Sequence, residues 1–309
     1  MRKSPGACGR SAKDLSGKRS EGRYPMAPVE ASFFKRQAFV LYFVLAYAVS
    51  WSIMVPLALS ARGMIAAQLP LVLHYLGSLG PITAALVMTA INEGCAGVQA
   101  LLGRVLKWRV GLRYYAFAVL APLGLFGLAV VLNRAIFGDW PDLSLLGQPE
   151  YLPYIGPFGV LGLWLLTYGL CEETGWRGYA LPHLQRDRPA ASASLLLAIL
   201  WACWHFPAFF YRDTYVEMGI LGFPIFLVSL IFAAMVFTWL YNSTGGSLLL
   251  VILFHAVFNW LSVSEAGGQL VAWLMSAPVV LWALFVVRRY GQENVSPLKK
   301  QVAQAHLAG

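Results

Sequence analysis

The chain has 309 residues, of which 59% are hydrophobic and only 12% charged, with a mean hydropathy of +0.64. A soluble domain is typically about 45–50% apolar and about 25% charged, so this composition excludes an ordinary soluble protein and predicts a polytopic membrane protein. The net charge of +9 does not indicate nucleic-acid binding, because the basic residues flank the apolar runs in a pattern that follows membrane topology.

Eight apolar segments are candidate membrane spans, since about 20 residues cross a bilayer core of about 30 Å. They cover approximately residues 37–60, 65–91, 114–136, 155–176, 191–211, 218–241, 246–263 and 269–287. If the N-terminus is cytoplasmic, 20 of the 23 Lys and Arg residues fall on the inner side, and only Arg62, Arg134 and Arg212 on the outer side. The sequence therefore predicts an all-α transmembrane bundle in a lipid bilayer, with both termini in the cytoplasm.

The segments that flank this bundle are polar. Residues 1–36 are rich in Gly, Ser, Lys and Arg and predict a disordered tail, although Met26 opens a more compact sequence and is an alternative start. Residues 37–290 form the predicted single domain, and 291–309 a cytoplasmic tail. Residues 98–109 have the spacing of an amphipathic helix on the inner membrane surface, but an ordinary connector explains them equally well. The four cysteines show no CxxC spacing and indicate neither a disulfide framework nor a thiolate metal site.

The fourth apolar segment ends in a polar run that carries two glutamates and an arginine. Ionisable groups are costly inside a membrane and by default indicate a functional site. Glu173 and Arg177 are four residues apart and share a helical face, so Arg177 is expected to hold Glu173 as an ion pair that supports the site. Glu172 points elsewhere, lacks a local cation and is the candidate general base. The simpler alternative is that both glutamates mark the cytoplasmic end of the span.

Two later segments each carry one histidine. His205 follows Trp201 by one turn, and in isolation it is as readily a hydrogen-bonded core residue as a catalytic one. His255 and Asn259 are four residues apart, so both project from one helical face. At about 1.5 Å per residue, Glu172 is expected within roughly 10 Å of the cytoplasmic boundary, in a cavity open to that side.

Three motifs, in this order, resemble the signatures of the CPBP family, which covers CAAX prenyl proteases and bacteriocin-processing enzymes and is also called the Abi family. The first begins at Glu172 and reads Glu-Glu-x-x-x-Arg-Gly-Tyr-x-Leu-Pro-x-Leu-Gln. The second is Trp201-x-x-x-His205, with tryptophan where phenylalanine is usual. The third opens with Gly-Ser-Leu-Leu and closes with His-Ala-x-x-Asn at Asn259. The resemblance spans about residues 155–262.

This resemblance implies an intramembrane endopeptidase of the cell membrane, with its site open to the cytoplasmic side. By position, Glu172 and His205 would activate water, and His255 and Asn259 would stabilise the oxyanion. The substrate would be a membrane-associated protein or peptide, lipidated for some members of the family. The family is often labelled a metalloprotease, and Glu172, His205 and His255 are candidate zinc ligands. No His-Glu-x-x-His pair is present, so the sequence does not require zinc and leaves the cofactor open.

Two interpretations from other classes stay open. A non-proteolytic immunity or scaffold protein of the same fold is disfavoured, because every motif position that the chemistry needs is present. A proton-coupled transporter also uses Glu and His relays, but it would be expected to show repeated halves or paired broken helices, which the sequence lacks.

Overall fold

The computed structural model describes residues 28–264, 266 and 268–303, and every regular element within them is helical. The prediction of an all-α fold is thereby confirmed. The α-helices are α1 (Pro28–Ala61), α2 (Leu79–Val105), α3 (Leu112–Phe137), α4 (Pro157–Trp164), α5 (Glu173–Gly175), α6 (Leu181–Arg186), α7 (Ala190–Trp204), α8 (Asp213–Met218), α9 (Phe223–Ser243), α10 (Leu248–Ser262) and α11 (Gly268–Asn294).

Six of the described helical stretches are long and apolar enough to cross a membrane. They are Gln37–Ala61, Leu71–Val105, Leu112–Phe137, Ala190–Phe210, Ile220–Ser243 and Val271–Asn294. The shorter apolar α10 and the helical run from Pro157 to Arg186 occupy the other two predicted segments. The side of the membrane on which the termini lie remains a prediction.

The run from Pro157 to Arg186, which we call the motif run, changes helix type four times. Two π-helical stretches, Leu165–Glu172 and Trp176–Ala180, lie on either side of α5, and α4 and α6 complete the run. The helix therefore continues well past the predicted end of the fourth span. Glu172 lies 14 residues before Arg186, roughly 20 Å along the axis, which is deeper within the run than the expected 10 Å.

Close backbone contact fixes how α1 and α2 cross. At Gly80, a Cβ atom would lie 2.3 Å from the carbonyl oxygen of Ala46, so only glycine permits this approach. Ser50 on α1 donates its hydroxyl to the carbonyl of Gly77 at 2.6 Å. The first section of α2 ends at Gly94, whose φ of 63° interrupts the helix. Beyond it, the predicted amphipathic segment 98–109 is helical as far as Val105.

The C-terminal segment 295–303 packs back against the bundle. The backbone N–H of Ala303 donates to the carbonyl of Pro182 at 3.1 Å. The side chains of Gln185 and Asn242 exchange hydrogen bonds, and both also bond the backbone of Gln301. We call this arrangement of Gln185, Asn242 and segment 295–303 the C-terminal clasp. Of the predicted tails, residues 1–27, with Met26, and 304–309 lie outside the described residues, and α1 already begins at Pro28.

Contacts between the connecting segments define two ends of the molecule. At the terminal end, Lys107 bonds the carbonyl of Gly245, and Lys300 bonds the carbonyl of Arg188. At the opposite end, which we call the loop end, Arg212 pairs with Glu150 and Arg62 bonds the carbonyl of Phe210. The helices run between these two ends.

Candidate active site

One cavity of about 220 Å³ is lined by all four residues predicted to carry the chemistry: Glu172, His205, His255 and Asn259. They come from the end of a π-helical stretch, from the residue after α7, and from one face of α10. Glu172 is 2% exposed and His255 4%, whereas His205 and Asn259 are half-buried. The structure thus brings together side chains that are up to 87 positions apart in the sequence.

The carboxylate of Glu172 is held by a tryptophan from α7. The indole Nε1 of Trp201 donates to Glu172 Oε2 at 3.0 Å. The sequence placed Trp201 one turn before His205 and in the second motif, but its hydrogen bond to Glu172 is a role that sequence reasoning missed.

Glu173 lies behind the cavity and accepts hydrogen bonds from two side chains. Arg177 Nη1 is 2.8 Å from Oε1 and 3.1 Å from Oε2 of Glu173, and both residues are fully buried. His255 Nδ1 is 2.7 Å from the same Oε1. A carboxylate so placed fixes the ring orientation of His255, and it leaves Nε2 of that ring free to bind another group. The supporting ion pair is therefore connected directly to a cavity histidine.

Aromatic rings enclose the guanidinium of Arg177. Its Cζ atom lies 4.5 Å from the ring centroid of Trp201 and 4.3 Å from that of Phe237. Stacking of this kind is favourable for a desolvated arginine. Trp201 therefore contacts both the Glu172 carboxylate and the ion pair that holds His255.

His205 is oriented by the backbone of α7. Its Nδ1 atom lies 2.7 Å from the carbonyl oxygen of Trp201. Because a carbonyl can only accept, Nδ1 carries the proton, and Nε2 of a neutral ring is left as the acceptor. His205 is the first residue after α7, and this contact holds its ring against the last turn of the helix.

A close approach of two helices fixes the position of the glutamates. At Gly175, two residues after Glu173, a Cβ atom would lie 2.4 Å from Cβ and 2.7 Å from the backbone of Pro81. Any side chain at this position would push α2 away from the motif. Gly175, which stands at a variable position of the first motif, is therefore required by packing.

The candidate zinc ligands do not form a metal site as they are arranged. Among the described residues, no group of three His, Cys, Asp or Glu side chains is placed to hold a metal ion. A catalytic zinc needs three protein ligands at about 2.0–2.2 Å, so Glu172, His205 and His255 do not fit that requirement.

The cavity lies in the half of the molecule toward the loop end. Its remaining wall comes from the segment after α7 and from the adjacent halves of α9 and α11, and includes Arg212, Thr214, Phe226, Ala233, Ala272 and Ser276. The charge count assigns the loop end to the outside. The sequence predicted that the termini and the opening of the site are both cytoplasmic. In the structure the termini and the site lie toward opposite ends of the molecule, so the two predictions conflict.

Comparisons with known proteins concern this same central part of the chain. A family model described as type II CAAX prenyl endopeptidase, Rce1-like, matches residues 154–261. CAAX prenyl protease 2 of Methanococcus maripaludis is 35% identical over 100 residues, which are 31% of this chain and 36% of that protein. The chain thus aligns with about a third of the length of this curated relative.

Proposed function

We propose that this chain, which belongs to the CPBP family of CAAX-protease-like membrane proteins, is an intramembrane endopeptidase that hydrolyses a peptide bond of a membrane-associated protein or peptide. The observation that carries the proposal is the single cavity lined by Glu172, His205, His255 and Asn259. These residue types supply what peptide hydrolysis needs: a base for water and hydrogen-bond donors for an oxyanion.

The first step of the proposed mechanism is attack by water. Glu172, assisted by the free Nε2 of His205, takes a proton from water as its oxygen bonds to the scissile carbonyl carbon. The resulting tetrahedral intermediate carries the negative charge on the former carbonyl oxygen. The proton on Glu172 then passes to the leaving amide nitrogen, so that an amine and a carboxylic acid are formed and the enzyme is regenerated.

The second part of the mechanism concerns the oxyanion. The side-chain amide of Asn259 donates to it, and His255 donates from Nε2. Because Nδ1 of His255 already donates to Glu173, donation from Nε2 requires the imidazolium form of the ring. The adjoining carboxylate stabilises that cation, which gives Glu173 a direct influence on the oxyanion site.

The test is the substitution Glu172→Gln, which keeps the size of the side chain and removes the base. We expect proteolysis to fall by at least about a hundredfold, while insertion and thermal stability are retained. The measurement is comparative peptidomics of membranes that contain the wild type or the variant. Glu293→Gln is a matched control, because that carboxylate is 61% exposed and forms an exposed ion pair with Lys300, away from the cavity. Full activity of Glu172→Gln would reject the proposed role.

A further inference from the structure

A buried arginine contributes to the cavity wall and has no part in the mechanism above. Arg212 is 5% exposed and lines the same cavity as Glu172. Its Nε atom donates to Glu150 Oε2 at 2.7 Å. Its Nη2 atom is buried and has no hydrogen-bond partner within the described part of the chain.

The ion pair with Glu150 accounts for the Nε atom of Arg212 but not for its Nη2 atom. The contact joins the 138–156 connection to the segment after α7, which is a structural role for Nε. A guanidinium, however, presents a planar fork that binds a carboxylate through two parallel hydrogen bonds. A buried N–H group left unpaired is destabilising, so the unpaired Nη2 of Arg212 indicates a ligand that supplies an acceptor.

The position of Arg212 is within reach of a substrate at the catalytic residues. Its Cζ atom lies 5.8 Å from the ring centroid of Tyr168, and that ring lies 6.5 Å from the ring of His255. The guanidinium is therefore no farther than about 12 Å from His255, a distance that a few extended residues span at about 3.3–3.6 Å each. Thr214 and Tyr215 add hydroxyl groups to the same wall.

We propose that Arg212 anchors a carboxylate-binding subsite of the cavity. The carboxylate belongs to the peptide substrate and lies a few residues from the scissile bond, either as the C-terminal α-carboxylate or as an acidic side chain. Glu150 holds Nε and orients the guanidinium, and the ligand carboxylate accepts from the free edge. That the ligand is a peptide rests on the proposed function; the chemistry of the subsite rests on Arg212.

Binding measurements test the subsite without turnover. The full chain carrying Glu172→Gln is purified in neutral detergent, and fluorescence anisotropy measures its affinity for an acylated, fluorescent peptide of alanine and leucine. The peptide is made as the free acid, as the C-terminal amide, and as the amide with glutamate in last position. We expect the acid to bind at least about tenfold more tightly than the plain amide.

The variants separate recognition from folding. Arg212→Gln alone leaves Glu150 buried without its cation, so the double variant Glu150→Gln/Arg212→Gln, which removes both charges, is the decisive protein. In it the acid and the amide should bind equally. Glu150→Gln alone should keep the preference, and so should Arg134→Gln, a change at an exposed arginine near the loop end.

Each outcome decides the question. Tight binding of the glutamate amide assigns the ligand to an acidic side chain, and weak binding assigns it to the α-carboxylate; both support the subsite. Equal affinities of the acid and of both amides for the parent protein, absence of binding included, would overturn it, as would a preference for a carboxylate-bearing peptide that survives in the double variant. Failure of the protease proposal is recognised separately, by proteolysis that persists in Glu172→Gln.

Discussion

Glu173 is the residue on which two parts of the site depend. It neutralises Arg177 in a fully buried ion pair and at the same time holds Nδ1 of His255. A change at Arg177 is therefore expected to affect both the free energy of unfolding and the geometry of a catalytic histidine, although Arg177 itself does not line the cavity.

We predict that Arg177→Ala lowers both stability and activity. Removing one partner of a buried ion pair leaves an uncompensated charge and costs about 3–5 kcal/mol. Thermal unfolding in detergent should show a clearly lower midpoint, and proteolysis should fall with it. The control is Arg186→Ala, because the Arg186–Asp187 pair is 51% and 63% exposed and should contribute at most about 1 kcal/mol. Unchanged yield and midpoint for Arg177→Ala would contradict the pair.

We predict that Trp201→Phe lowers the rate of peptide hydrolysis about ten- to a hundredfold, since a hydrogen bond to a charged group contributes about 1.5–3 kcal/mol. The matched control is Trp204→Phe. Trp204 is buried to the same extent, but its Nε1 has no hydrogen-bond partner within the described part of the protein. Both variants lose similar packing. Equal losses of activity in the two would show that the Trp201–Glu172 hydrogen bond has no catalytic importance.

At the residue scale, local spacing predicted local contacts and nothing more. The contact between Glu173 and Arg177 follows from their separation of four residues on a helix. The bond from His255 to Glu173 joins residues 82 positions apart, and no periodicity in the sequence indicates it. The spacing of Trp201 from His205 was visible, but its partner Glu172 lies on another helix.

At the scale of the helices, two features set the position and direction of the glutamates. They are the π-helical stretches of the motif run and the contact of that run with α2. At Gly175 the motif run lies in close contact with α2, with backbone atoms of Pro81 2.7 Å from where a Cβ would lie. Backbone cannot move aside as the end of a flexible side chain can.

We predict that Gly175→Ala destabilises the protein by about 1–3 kcal/mol, the usual cost of overpacking, and lowers activity because the glutamates shift. The control is Gly162→Ala in α4 of the same run, where a Cβ atom would meet nothing within 4 Å. That variant should be neutral in the same thermal unfolding assay. A Gly175→Ala protein as stable and active as the control would refute the steric argument.

Hydropathy predicted the helices well, because the cost of unpaired backbone groups in lipid leaves few alternatives. It did not predict where the motif run ends, since Cys171–Gly178 interrupts the apolar pattern. The run continues to Arg186 because its polar groups find partners in the bundle: Glu173 with His255, and Gln185 with Asn242. Such tertiary partners are invisible to a window of sequence.

At the scale of the whole molecule, the distribution of charge and the position of the cavity bear on which end of the molecule faces the cytoplasm. The basic residues favour the terminal end as cytoplasmic, and the cavity lies toward the loop end. The predicted reaction near the cytoplasmic leaflet holds only if the loop end faces the cytoplasm.

We predict from the charge count that Asp139→Cys, in the connection after α3, reacts with an impermeant maleimide in intact cells. Asp187→Cys, before α7, should react only after permeabilisation. Both side chains are exposed, and the four native cysteines are replaced in the parent protein. The reverse labelling pattern would place the cavity half on the cytoplasmic side and contradict the positive-inside prediction.

The C-terminal clasp has a consequence for the order in which the protein matures. Segment 295–303 leaves the ribosome after every helix it touches, yet it supplies backbone partners to Gln185, in the motif run, and to Asn242. Until it arrives, the buried amides of Gln185 and Asn242 lack these backbone partners, and among the described residues they bond each other and the carbonyl of Asn294. A newly inserted chain is therefore expected to acquire its final rigidity late, when this last stretch closes over them.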